Sequence, residues 1–216
     1  MYKLKNRIFI GIVVLLSISL CLICLFSLNN KEDRLTDEQI SQLREQYPIC
    51  GIIEPPNVSL NHNISLEDII ELSDSFVYGK VVGDYKTYFV NASTGKTEVD
   101  KKRKEKGIED TFEFYEYTLN VINDTEGKYQ KGDVITISDN IIFKDYNPKL
   151  SDGMKVVVPV FEGKNVKHPT RRSYSVIGMY YVTNDGYAIS AFSENKQAKN
   201  IHSGIKVDEL LKKLEK

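Results

Sequence analysis

From Ser75 onward the hydrophobic residues of this chain recur at every second position, and that period limits the fold more than any other feature. Seven runs rich in Val, Ile, Tyr and Phe follow one another: 76–82 (FVYGKVV), 85–90 (YKTYFV), 112–122 (FEFYEYTLNVI), 134–138 (VITIS), 155–161 (KVVVPVF), 176–182 (VIGMYYV) and 187–192 (YAISAF). In the third, Tyr115, Tyr117, Leu119 and Val121 alternate with Glu116, Thr118 and Asn120, the pattern of a strand with one buried face. Turn residues separate the runs: Gly127 and Gly132-Asp133, Pro148 with Asp152-Gly153, and Asn184-Asp185-Gly186, which predicts a tight hairpin. Pro159 inside the fifth run predicts an edge strand or a bulge, because proline has no N–H to give to a ladder. Short strands with little helix between them predict a mainly β fold, an antiparallel barrel or sandwich.

Helical signals flank this region. Thr36 with Gln39, and Ser65 with Asp68, make capping-box patterns ahead of DEQISQLREQ and LEDIIELSD. The first predicted helix, Asp37 to Gln46, has a thin apolar face (Ile40, Leu43), ends before Pro48, and reads as part of a stalk or as a surface helix. At the C-terminus, Val207, Leu210, Leu211 and Leu214 stand at i, i+3, i+4 and i+7, which predicts an amphipathic helix over 206–216.

The N-terminus has a different character. Lys3, Lys5 and Arg7 precede Ile8 to Leu28, which contains no charged side chain. As a helix this run is about 31 Å long, close to the ~30 Å hydrocarbon thickness of a bilayer. No A-x-A-like cleavage pair follows it, and Cys21 and Cys24 lack the small preceding residue of a lipid-modified cysteine, so an uncleaved signal anchor is predicted. The +3 flank before the run, against the cancelling Lys31, Glu32, Asp33 and Arg34 after it, puts the N-terminus in the cytoplasm and the rest outside. The chain then divides into a basic flank (1–7), a transmembrane helix (8–28), a stalk or linker with a short helix (29–64) and an extracytoplasmic barrel domain with its C-terminal helix (65–216). Cys50 is the one thiol beyond the anchor, so no disulfide forms within the external part. It is a small buried hydrophobe or an interchain bridge.

The order Ser73-Asp74-Ser75-Phe76-Val77-Tyr78-Gly79-Lys80-Val81, then Tyr117-x-Leu119-x-Val121, then Lys131-Gly132-Asp133-x-Ile135-x-Ile137, then Leu150-x-x-Gly153 before an apolar strand, resembles small secreted OB-like barrels. These include domains of unassigned role in low-GC bacteria and, more distantly, the netrin-like domain of metalloproteinase inhibitors. The resemblance covers about residues 65–192 and implies an antiparallel OB-like barrel. The N-terminal cysteine and disulfides of the inhibitors are absent, and no functional residue carries over.

Two segments between strands are locally basic. Lys101, Lys102, Arg103 and Lys104, with Glu105 and Lys106, sum to +4; Glu162 to Ser175, with Lys164, Lys167, Arg171 and Arg172, sums to +3. In an OB barrel they fall at the first and fourth connections, the loops that flank the face on which such folds bind extended polymers. Tyr174, with Tyr115, Tyr117, Tyr180 and Tyr181, would supply flat stacking surface, or else these rings are core and cross-strand partners. The candidate ligand-binding residues are therefore Lys101, Lys102, Arg103, Lys104, Lys167, Arg171, Arg172 and Tyr174. The partners expected are the membrane, through a single pass, and an anionic envelope polymer or an envelope protein, with no specific nucleic acid.

Signs of catalysis are thin. Ser93-Thr94-Gly95-Lys96-Thr97 lacks the first glycine of a phosphate loop, since Val90 holds that position. His62, His168 and His202 have no second ligand at metal-site spacing, and no G-x-S-x-G elbow occurs. No cofactor is indicated. The competing enzyme reading is a hydrolase assembled from loop residues such as Asp139, Asp145, His168 and Asp185; a third reading is an envelope assembly or sensor subunit. The formal charge of −1 hides structure of its own, because without Lys3, Lys5 and Arg7 the chain holds 26 basic and 30 acidic residues. Two basic segments then sit on an acidic body, as an extracytoplasmic, non-catalytic binding module would carry them.

Overall fold

The chain's longest strand organises everything else. In the computed structural model, which describes residues 34–50, 65–91, 97–108, 111–162, 171–192 and 202–216, the two runs 76–82 and 85–90 form one strand, β1 (Ser75–Asn91). Gly83 and Asp84, which look like a break, lie where the register to the next strand slips between Val82 and Lys86. Gly83 takes φ +70° there, and its N–H donates to Asp152 Oδ1 at 2.7 Å. The irregularity bends the strand without ending it. A second register shift, at Tyr78/Gly79, brings β1 close to its neighbour: a Cβ on Gly79 would stand 3.2 Å from Leu119 Cβ.

Six more strands complete a mixed sheet: β2 (Thr111–Asp124), β3 (Val134–Asn140), β4 (Lys155–Phe161), β5 (Arg171–Tyr174), β6 (Tyr180–Val182) and β7 (Ala188–Ser190). Their order is β1-β2-β3-β5-β4-β6-β7, and the first part of β1 also pairs with β4. All neighbours are antiparallel except β3 and β5, which run parallel. The purely antiparallel sheet expected from the alternation is corrected by β5. Its sequence, RRSY, has no apolar alternation to announce a strand, and it is held from both sides by β3 and β4.

Pro159 also differs from expectation, because β4 is an interior strand. Phe76, its partner on β1, turns its own N–H and C=O toward Thr125, and the Pro159 carbonyl accepts from the Ser175 N–H on the opposite side. β4 pairs with β6 through Lys155–Val157 and with β5 through Val160–Phe161. The missing N–H thus falls in the gap where the strand changes partners, where no ladder bond is lost.

Two apolar clusters lie on opposite faces of the sheet. The larger gathers Val77, Val81, Tyr115, Leu119, Ile137, Val156, Val158 and Met179. The smaller sets Phe76, Tyr78, Val157 and Tyr180 against two helices, α2 (Leu66–Leu72) and α4 (Val207–Leu214). Burial on both faces explains why β4 reads as a continuous apolar run. On α4, Val207, Leu210, Leu211 and Leu214 are the buried positions, and the Lys216 ammonium closes the far end by donating to the α2 carbonyl of Glu71 and to Ser73 C=O. Gly178 passes beneath α2 at φ +82°, where a Cβ would meet Leu66, Ile69 and Phe76 side chains at 3.2–3.4 Å. Gly178→Ala is expected to cost about 1–3 kcal/mol through this left-handed conformation alone, read as a lower denaturation midpoint with an unchanged slope.

The first helix, α1 (Asp37–Leu43), and α2 both carry complete capping boxes, at Thr36/Gln39 and Ser65/Asp68. The stretch around α1, read from the sequence as part of a stalk, is packed into the body. Leu35 N–H donates to Gly204 C=O at 2.8 Å, Leu35, Ile40 and Leu43 lie against the larger cluster, and Tyr47 is buried within it. The unit built this way runs from Leu35 to Lys216. The apolar run 8–28 lies outside the described residues, and among those described no helix is long and apolar enough to cross a membrane.

Candidate ligand-binding face

Beyond the part of β1 that pairs with β4, the β1–β2 ribbon runs on, flanked by β3 as far as Phe114, and its register decides which side chains share a face. Lys86, Tyr88 and Val90 stand opposite Glu116, Phe114 and Phe112, and directly opposed residues lie on the same side. Tyr115, Tyr117 and Leu119, of the other parity, are core residues. The same parity carries the outer face across Thr136 and Ser138 of β3 to Arg171 and Ser173 of β5. Helices α2 and α4 cover the sheet over β1's first half, β4 and β6; among the described residues none of the helices buried on the sheet covers this other part.

At the centre of this face the Arg171 guanidinium lies 3.8 Å from the centroid of the Tyr88 ring, and Tyr88 stacks on Phe114 at 5.5 Å and 19°. Arg171 Nε also donates to Glu116 Oε2 at 2.5 Å. The cation is held by a ring and a carboxylate, so much of its charge is already met. Arg172 points to the opposite side, where its Nε donates to Tyr129 Oη at 2.9 Å and its guanidinium stands 3.6 Å from Glu162. The two arginines belong to a strand, not to a basic loop, and alternate across it.

Tyr174 offers no stacking surface. It is 7% exposed, and its hydroxyl shares a hydrogen bond of 2.8 Å with that of Tyr115. Tyr117, Tyr180 and Tyr181 are buried as well. Lys101, Lys102, Arg103 and Lys104 are exposed on a short helix, α3 (Glu98–Glu105), rather than in a loop; Thr97 caps it by accepting the Asp100 N–H. That cap is the role of the last residue of the phosphate-loop-like motif, of which 93–96 lie outside the described residues. Lys167 lies outside them too. From Tyr88 to the ribbon's end at Asn91 is about 10 Å of strand, after which the chain enters the connection that contains α3.

Sequence reasoning missed Tyr88, Phe114, Phe112, Lys86 and Glu116. Their alternation was visible, but which parity faces outward depends on the cross-strand register.

Of the residues of the enzyme reading, Asp139, Asp145 and Asp185 lie among those described. Asp139 is part of a structural network: its carboxylate accepts from Asn140 N–H and from the Asn147 amide, while burial pushes its pKa up. Asp185 lies in the β6–β7 turn, and His168 is outside the described residues. Among the described residues no group of three or more His, Cys, Asp or Glu is placed to hold a metal ion. The Cys50 thiol donates to Ala191 C=O at 2.8 Å, and burial pushes its pKa up to about 12. Comparison with protein-family models, with curated proteins and with solved structures found no match.

Proposed function

We propose that the chain is a membrane-anchored, extracytoplasmic, non-catalytic binding module that holds an anionic polymer of the cell envelope on the outer face of β1, β2, β3 and β5. The observation that carries this reading is the composition of that face: a stacked aromatic pair, half-buried Thr118 and Thr136, exposed Ser173, and a basic helix in the connection at its end. A row of cations meets the backbone charge of an extended polyanion, and flat rings pack against flat or apolar groups of its repeat units where it carries them.

The circuit of pairings supports an OB-like barrel as the scaffold, since β1, β2, β3, β5 and β4 follow one another and β4 returns to β1. In such a barrel the polymer face lies between the first and fourth connections. Location rests on the sequence alone, on the basic flank and the apolar run of 8–28.

Retention on immobilised polyphosphate, measured against salt with the full chain in detergent, tests the reading. Reversing Lys101, Lys102, Arg103 and Lys104 to Glu is expected to reduce the log–log salt slope by roughly 3. Arg171→Ala, whose charge already faces Glu116, is expected to change it by under 1. Retention unchanged by the quadruple reversal would remove the polymer and leave an envelope protein as partner.

A further inference from the structure

The exposed apolar side chains of this protein are not scattered. Of the nine large ones among the described residues, six fall from Val82 to Phe112, and four of these lie on the last residues of the ribbon or in the connection that follows it: Phe89 (65% exposed), Val99 (58%), Ile108 (52%) and Phe112 (49%). Val90 faces Phe112, and Phe89 faces Glu113, within two register steps of the last pair, Asn91 and Thr111. The connection between these strands carries Lys101 to Lys104 on α3, and Lys106 just after it. Glu98 and Asp100 sit in the first turn of α3, where they answer the helix dipole, so the cations dominate the remainder.

We propose that this ribbon end is a lipid-facing tip, which seats its apolar side chains in the interface of an anionic bilayer while the α3 cations meet the lipid phosphates. A hydrated polymer on the Tyr88–Phe114 side would accept the cations but offer nothing to Val99 and Ile108, nor to Phe89, which by its register with Glu113 lies on the other side of the ribbon. A bilayer interface takes both, burying apolar side chains at the acyl boundary and attracting each nearby Lys or Arg by about fivefold in partitioning.

The tether supplies an independent argument. Because Leu35 is already hydrogen-bonded into the body, only residues 29–34 separate it from the end of the apolar run at Leu28. Seven peptide steps reach about 25 Å at full extension, so on the anchored reading Leu35 stays within that distance of the end of the apolar run. The proposal rests on the anchored reading above and names a second partner for the basic end of the proposed polymer face.

The chain contains no Trp, so Phe112→Trp makes a single reporter. With the full chain in nanodiscs, its emission is expected to shift to the blue and to be quenched by acyl-brominated lipid when phosphatidylglycerol is present. In phosphatidylcholine alone both effects should weaken severalfold. Leu72→Trp, on the exposed side of α2, should remain unquenched in both, and reversing Lys101 to Lys104 should abolish the quenching at position 112. A Trp at 112 that stays unquenched in phosphatidylglycerol overturns the tip, and so does equal quenching at 72 and 112. Polyphosphate retention with an unquenched tip would leave the polymer reading standing alone, whereas quenching without retention would remove the polymer and keep the tip.

Discussion

Leu210→Ala is expected to lower the unfolding free energy by about 3–5 kcal/mol, the upper part of the range for leucine truncation at a fully enclosed site. Leu210 is 0% exposed on α4 and belongs to the cluster that joins this helix to α2, Phe76, Tyr78, Val157 and Tyr180. The surroundings have little freedom to collapse into the space. On one side stand β-strands tied to neighbours on both edges, and on the other a two-turn helix fastened at each end, by the Val207 N–H to Gly186 C=O and by Lys216 to Ser73 C=O. Lys212→Ala, on the exposed side of the same helix, should stay within about 0.5 kcal/mol. Chemical denaturation followed by circular dichroism checks both. A loss below about 1 kcal/mol at Leu210 would mean that α4 is not part of the cooperative unit.

Tyr115→Phe is expected to cost about 3 kcal/mol, although it removes a single oxygen. The Tyr115 hydroxyl lies between the Tyr174 hydroxyl at 2.8 Å and the Asn147 amide at 2.7 Å, and the whole group is out of water. Removing it strands the buried Tyr174 hydroxyl, at about 1–3 kcal/mol, and leaves the Asn147 amide with its bond to Asp139 but without its second acceptor. Tyr174→Phe leaves Tyr115 its bond from Asn147 and should cost less. The double variant should cost less than the sum of the single changes, because the first has already broken the bond that the second would break. Equilibrium unfolding of the three variants measures the coupling; strict additivity would show that the hydroxyl pair contributes nothing. Burial also pushes the Tyr115 and Tyr174 pKa values up, so both remain donors at neutral pH and the network keeps its form.

The core and the candidate face differ in how far they were legible. The alternation of Tyr115, Tyr117, Leu119 and Val121 with polar neighbours marked one buried face within a single strand, although the two tyrosines stayed open between core and stacking surface until the structure buried them. Tyr88 and Phe114 could not be paired on paper, since their stack depends on a register that slips twice along β1. Arg171 and Arg172 were read as loop cations because a run of charge without apolar alternation looks solvated. Their carboxylates, Glu116 and Glu162, come from a distant strand and from the end of β4.

What the sequence determined by itself is whatever depends on residues a few positions apart. The capping boxes at Thr36 and Ser65, the buried stripe of α4, the alternation of β2 and the Asn184-Asp185-Gly186 turn all follow from contacts within about one turn or one hairpin. The charge-free character of the run 8–28 is likewise local. Tertiary structure alone decided that β1 is continuous, that β5 exists and runs parallel to β3, that Pro159 sits where its strand changes partners, and that Leu35 to Cys50 belong to the body. Each is a pairing across tens of residues, chosen because it buries apolar surface and satisfies backbone groups that local propensity leaves open.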